Sequence, residues 1–201
     1  MQHAKPRTRE VRIAIAGKMG SGKSALANEL ARALGARRVS FATKVREVVR
    51  DLYGPGNEKN RHLMTGVGMG LRAVDADTWV NAVRRTVARY PDASWVLDDL
   101  RFPNELNALR ADGWVVVRLA VDAETRSERI LRRCGGDADA ARGQEAYAGH
   151  ASETALDLTP DFAFDAAVRG DGTVCRHDGR LLIETDGTAR GIADALLSHI
   201  R

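Results

Sequence analysis

The chain has 201 residues, 44% of them hydrophobic and 29% charged, with a formal net charge of +4. That length and composition suit one soluble α/β domain with a substantial core, and no apolar run is long enough to cross a bilayer. The first ten residues are polar and basic with no apolar h-region, and Cys134 and Cys175 form neither a metal spacing nor a disulfide framework, so a cytoplasmic, reducing setting is expected.

Of the 31 basic residues, 26 are arginine. Arginine presents a planar fork that grips phosphate oxygens in pairs, so an enzyme handling two phosphorylated substrates accounts for the excess as well as a nucleic-acid surface does, and genomic base bias is a third source. Acidic residues are interspersed throughout, with no concentrated basic stripe and no nucleic-acid module, which argues against a nucleic-acid surface.

Met1 to Arg9 reads as a basic tail, followed by a buried strand over Val11 to Ala16. Next comes Gly17-Lys18-Met19-Gly20-Ser21-Gly22-Lys23-Ser24, which fits G-x-x-x-x-G-K-[ST] at every fixed position and opens a helix over Ala25 to Leu34. Strand, glycine loop and helix together make a P-loop. The glycines let the backbone curl so that its N–H groups form an anion nest, and the helix N-terminus adds partial positive charge there. Lys23 is expected on the β- and γ-phosphates of ATP and Ser24 on Mg²⁺, with Gly17, Lys18, Gly20, Ser21, Gly22 and Ala25 completing the nucleotide site.

A short strand over Arg38 to Ala42 leads into a helix from Thr43 to Tyr53 whose apolar face is Val45, Val48, Val49 and Leu52. Glu58 to Leu71 reads as a helix interrupted by Gly66, Gly68 and Gly70. Asp77 can cap the next helix, with Val80, Val83 and Val87 as its core stripe and Trp79 at its start. Ser94 to Leu97 is a strand ending in Asp98-Asp99, where a P-loop fold carries its metal-holding acid. Pro103 starts a short helix, Trp114 to Val121 is a buried parallel strand, and Ala123 to Arg133 is an arginine-studded helix. Cys134 to Gly149 has weak periodicity and reads as mobile. Phe162 to Val168 is the last core strand, Thr173 to Arg176 and Arg180 to Thr185 form a hairpin, and Thr188 to Ile200 is the closing helix. Strands alternating with helices predict one domain over 1–201. Its mainly parallel five-stranded sheet has helices on both faces, a mobile lid over about 122–150 and a small hairpin near the C-terminus.

Asp99-Leu100-Arg101-Phe102-Pro103-Asn104-Glu105 resembles the D-V-R-F-P-N-E segment of the phage-type deoxynucleoside monophosphate kinases. Arg72 with Asp77 and Trp79 is similar to that family's R-x-x-x-x-D-x-W segment, and His150-Ala151-Ser152-Glu153 resembles its H-x-S-E segment. Asp165 and Asp186-Gly187-Thr188 resemble its closing region, so the likeness runs from the P-loop to the last helix. Two departures stand out: Asp98 occupies a place where Ser or Thr is more usual, and Arg169 to Thr185 inserts a hairpin.

The resemblance implies transfer of the γ-phosphoryl group of ATP to a deoxynucleoside monophosphate, with Mg²⁺. Arg72 and Arg101 are then expected to clamp the acceptor phosphate. Asp99 is the candidate for Mg²⁺ or for holding the acceptor in line, and Glu105 is expected to lock Arg101 by an i,i+4 pair. The Arg126 to Arg133 cluster, Arg132 included, resembles a lid that neutralises the transferring group, with a solvated helix face as the plain alternative. Trp79 either stacks on a base or fills the core. His150 and Glu153 hinge the lid or touch substrate. Two competing readings remain: a P-loop kinase for another phosphorylated small molecule, of the phosphomevalonate- or dephospho-coenzyme A-kinase type, and a nucleic-acid-binding ATPase or nucleotide switch. ATP and a nucleoside monophosphate are the expected partners, with room for a homodimer and no membrane.

Overall fold

Strand β1 (Arg12–Gly17) is apolar at consecutive positions because both its faces are covered. A computed structural model describes residues 10–146, 154–157, 159, 164–169, 171–176, 181–183 and 187–200. Ile13 and Ile15 pack with Leu26, Ala27 and Leu30 of α1 (Lys23–Leu34) and with Leu196 and Leu197 of the C-terminal helix. Ala14 and Ala16 face the other way, toward α2 (Phe41–Tyr53), α4 (Thr78–Ala88) and α5 (Pro103–Ala111), with α3 (Arg61–Val74) packed outside α2. Alternation along one strand thus divides the core into two layers, one on each face of the sheet.

The sheet order is β2–β3–β1–β4–β5–β6–β7. Strands β2 (Arg37–Val39), β3 (Trp95–Leu100), β4 (Val115–Ala120) and β5 (Ala166–Arg169) run parallel with β1, giving the five parallel strands expected. Strands β6 (Val174–Arg176) and β7 (Leu181–Ile183) are antiparallel. They continue the main sheet past β5, so the hairpin is part of the sheet and not an appendage.

The local causes are readable. Gly22 opens α1 at φ +94°, and Gly35 closes it at φ +61°, where the Ala36 N–H returns to the Ala31 carbonyl. Helix α5 starts with Pro103 at its first position, and the Glu105 carboxylate accepts the backbone N–H groups of Arg101 and Phe102. The Asn104 side chain donates to the Ala76 carbonyl and to Asp77, tying the start of α5 to the start of α4. The R-F-P-N-E run is therefore a built corner.

Several expectations change in detail. Helix α2 begins at Phe41, and its last turn overruns the core, leaving Leu52 68% exposed. After α6 (Ala123–Arg133), residues read as irregular instead form α7 (Ala138–Glu145). Asp137 caps it by accepting the Asp139 and Ala140 N–H groups, a signal that outweighs the weak apolar period. The C-terminal helix α8 spans Ala189–Ile200. Among the described residues no helix is long and apolar enough to cross a membrane.

Candidate active site

The loop between β1 and α1 curls as its glycines allow. Gly20 sits at φ +81°, and a Cβ there would lie 2.7 Å from the Arg126 carbonyl oxygen, so α6 passes too close for any side chain. Lys23 folds back over the loop and donates to the carbonyls of Gly17 (2.6 Å) and Lys18 (2.8 Å). Ser21 is buried and its hydroxyl has no hydrogen-bond partner among the described residues. Lys18 pairs with Asp157 at 2.8 Å. A cavity of about 810 Å³ opens over the loop, lined by Gly20, Gly22, Lys23, Ser24 and Ala25 and by Arg38, Arg61, Arg101, Arg129 and Arg133.

The two acids ending β3 diverge. Asp98 follows Val96 onto the α1 face, where its Oδ2 accepts from the Ser24 hydroxyl at 2.7 Å and its Oδ1 pairs with Arg38 at 2.7 Å. Asp99 follows Leu97 onto the α2 face and accepts from the Ser40 hydroxyl (2.8 Å) and the N–H groups of Phe41 (3.1 Å) and Ala42 (2.8 Å). Desolvation raises its carboxyl above the usual range, against the pull of those hydrogen bonds. Asp99, expected on Mg²⁺, thus acts as a cap on the first turn of α2. The carboxylate beside Ser24 is that of Asp98.

A second cavity, of about 290 Å³, lies between α2, α3, α4 and the β3–α5 corner. Its wall is mostly apolar: Phe41, Val45, Met64, Met69, Trp79 and Phe102, with Arg61, Arg72, Arg101, Asp99 and Glu105. Met19, Ala42, Arg61, Asp99 and Arg101 line both cavities, so the two meet there. Trp79 is buried and donates its indole N–H to the Gly68 carbonyl at 2.9 Å, so it is a core residue that also forms part of this wall. Glu105 makes its ion pair with Arg72, whose guanidinium lies 4.0 Å over the Phe102 ring, and reaches Arg101 through the backbone N–H. The expected i,i+4 lock is therefore corrected: capping takes the carboxylate to the backbone, and Arg72 approaches from α3. Burial pushes Glu105 up to about 7 despite that partner.

Arg129 and Arg133 line the nucleotide cavity, and Arg129 donates to the Ser21 carbonyl at 3.3 Å. Arg132 is exposed and lines none of the described cavities, because it lies a sixth to a third of a turn away from those two. Their i,i+4 spacing was the signal that could have separated them. Asp77 stands at the N-cap of α4 and accepts from Asn104. His150 and Glu153 lie outside the described residues, as does Asp186. Arg38 and Arg61, absent from the sequence-based site, both face the nucleotide cavity.

A parallel sheet with β1 flanked by β3 and β4, and a curled glycine loop leading into α1, define a P-loop nucleotide-binding domain. The comparisons agree. Residues 13–148 match the family model described as "AAA domain", and the chain belongs to that family. The structure is similar to that of an uncharacterized protein from Eubacterium ventriosum (TM-score 0.55, 14% identity, covering 95% of this chain and 98% of that one). It is also similar to TT1252 from Thermus thermophilus (TM-score 0.53, 17% identity, 96% and 100% covered). Shikimate kinase from Acinetobacter baumannii, in complex with shikimate, aligns at TM-score 0.48 and 15% identity, with 95% and 93% covered. No curated protein matches the chain in sequence.

Proposed function

We propose that the chain is an ATP-dependent phosphotransferase that moves the γ-phosphoryl group to the 5′-phosphate of a deoxynucleoside monophosphate. The observation that carries this reading is the junction of the two cavities at Arg61 and Arg101: one cavity has a phosphate loop, the other an apolar slot with cations at its inner end. The apolar wall suits a base, and the cations suit the acceptor phosphate. An oxygen of that phosphate attacks the γ-phosphorus, the bond from phosphorus to the β–γ bridging oxygen breaks, and ADP leaves. Lys23 and the loop N–H groups hold the donor's β- and γ-phosphates. Arg101 and Arg61 orient the acceptor, and Arg129 and Arg133 spread positive charge over the transferring group.

Mg²⁺ fits the residues present. Ser24 and Asp98 offer two hard oxygens side by side, and no cluster of three His, Cys, Asp or Glu occurs among the described residues, which suits an ion that keeps its waters and leans on substrate phosphates. When bound there, Mg²⁺ supplies charge neutralisation at the β- and γ-phosphates. Asp99 serves the reaction by fixing α2, which walls both cavities.

The test is direct. Purified protein is mixed with ATP, Mg²⁺ and each deoxynucleoside monophosphate, and nucleotides are separated by ion-exchange chromatography. Formation of a deoxynucleoside diphosphate with matching ADP is expected. Its absence from the whole panel, with phosphorylation of a non-nucleotide monophosphate instead, would pass the reading to another small-molecule kinase. ATP hydrolysis stimulated by DNA would pass it to a nucleic-acid ATPase.

A further inference from the structure

Arg38 has no assigned role in the phosphate chemistry above, although its partner Asp98 does. Strand β2 has three residues, and alternation sends them to opposite faces: Arg37 lies over the Tyr90 ring at 3.9 Å, Val39 enters the core beside α2, and Arg38 turns to the α1 side. There its guanidinium spans two oxygens. One arm donates to Asn28 Oδ1 on α1, and the other pairs with Asp98 Oδ1 at 2.7 Å. The second carboxylate oxygen, Oδ2, takes the Ser24 hydroxyl at 2.7 Å. The Asp98 side chain is 13% exposed and Arg38 34% exposed, so the pair is shielded on the acid's side and open on the arginine's.

A carboxylate on a single Cβ turns easily about its last torsion, which has broad, two-fold minima. A cation gripping one oxygen removes that freedom and leaves the other oxygen for the loop serine. The planar fork anchored at both ends does this where a lysine's single point charge cannot. Partners that fix a ligating carboxylate typically contribute 10- to 100-fold to metal affinity.

We propose that Arg38 is a positioning residue that locks the Asp98 carboxylate so that Oδ2, beside the Ser24 hydroxyl, is presented to the divalent cation of the bound nucleotide. This rests on the assignment of Ser24 and Asp98 as the metal oxygens and not on which acceptor is used. The geometry gives Arg38 a structural route to the metal that does not pass through the phosphates.

The experiment uses the full chain with ADP and no acceptor, and Mn²⁺ as the probe. Mn²⁺ affinity of the ADP complex is read by electron paramagnetic resonance, and ADP affinity in excess EDTA by calorimetry. Arg38→Ala is expected to weaken Mn²⁺ binding by about ten-fold or more, with ADP affinity in EDTA held within about two-fold. Arg38→Lys should weaken Mn²⁺ nearly as much, and because it keeps the strand's charge it remains measurable if the alanine variant folds poorly. Asp98→Asn should weaken Mn²⁺ at least as strongly.

Unchanged or tighter Mn²⁺ binding in both Arg38 variants would overturn the proposal, since charge repulsion would then outweigh positioning. An equal loss of ADP affinity in EDTA would overturn it too, making Arg38 a phosphate ligand. If Asp98→Asn also leaves Mn²⁺ untouched, the metal assignment falls with it. A failure to form deoxynucleoside diphosphates, by contrast, touches only the acceptor.

Discussion

Glu105 offers a pH test of how the second cavity is held together. Its side chain is 1% exposed, and burial pushes its carboxyl from 4.5 up to about 7. Desolvation outweighs the N–H groups of Arg101 and Phe102 and the charge of Arg72, with Asp99 adding to the rise. Between pH 4.5 and about 7 the folded protein then holds a proton that the unfolded chain has released. The stabilisation from this group is complete below about 4.5 and is lost as pH climbs through about 7. A displacement of that size corresponds to about 3 kcal/mol, or about 6–12 °C in Tm for a chain of this length. Glu105→Gln removes the titration while keeping the shape. Gln stands in for the protonated carboxyl, so below about 4.5 the two proteins differ by a constant and the readout is slope and not offset. Urea denaturation of both proteins from pH 5 to 8 should show the wild type losing most of that amount relative to Glu105→Gln as pH rises. Asp99 and the histidines are common to both proteins and largely cancel. Parallel curves would refute the reasoning, because the carboxyl would then be titrating alike in the folded and unfolded chains.

Lys23→Ala should lower ATP affinity and turnover by at least about 100-fold with little change in Tm, as followed by calorimetry and product formation. Gly20→Ala places a Cβ against the Arg126 carbonyl at a positive φ, so it should lose about 1–3 kcal/mol and most nucleotide binding, and a wild-type melting curve would contradict this. Asp99→Ala strips the cap from α2 and should cost about 0.5–2 kcal/mol while leaving Mn²⁺ affinity of the ADP complex near wild type; loss of the metal instead would return Asp99 to the cation. Leu30→Ala, at a fully buried site between α1 and the sheet, should cost about 2–5 kcal/mol in denaturant titrations without altering the KM for ATP.

What the sequence discloses and what it hides follow physical lines. The phosphate loop is contiguous, and its chemistry is carried by backbone geometry that only glycine permits, so residues 17–24 declare it. The β3–α5 corner is also local: Pro103, Asn104 and Glu105 act on neighbours or on the adjacent helix start. The choice between Asp98 and Asp99 is not local. A strand apolar on both sides does not reveal which face belongs to α1, so the metal-side acid emerges only from the packing of Val96 against one layer and Leu97 against the other. Arg38 is hidden for a similar reason, since a three-residue edge strand has too few positions to show a period. In α6, arginine at several consecutive turns masks which side faces the loop: the i,i+4 spacing groups Arg129 with Arg133, and where the helix sits decides that theirs is the side that faces it. The mutual pairing of Glu105 with Arg72 spans 33 residues and has no signature along the chain.

The outermost described strands of the sheet, β2 and β7, are three residues each. A strand that short exposes few unpaired amides, too few to recruit a foreign chain into register. The four long-range parallel pairings that build the nucleotide cleft can therefore assemble at the slow pace such topologies impose, while the growing sheet ends at borders that discourage polymerisation.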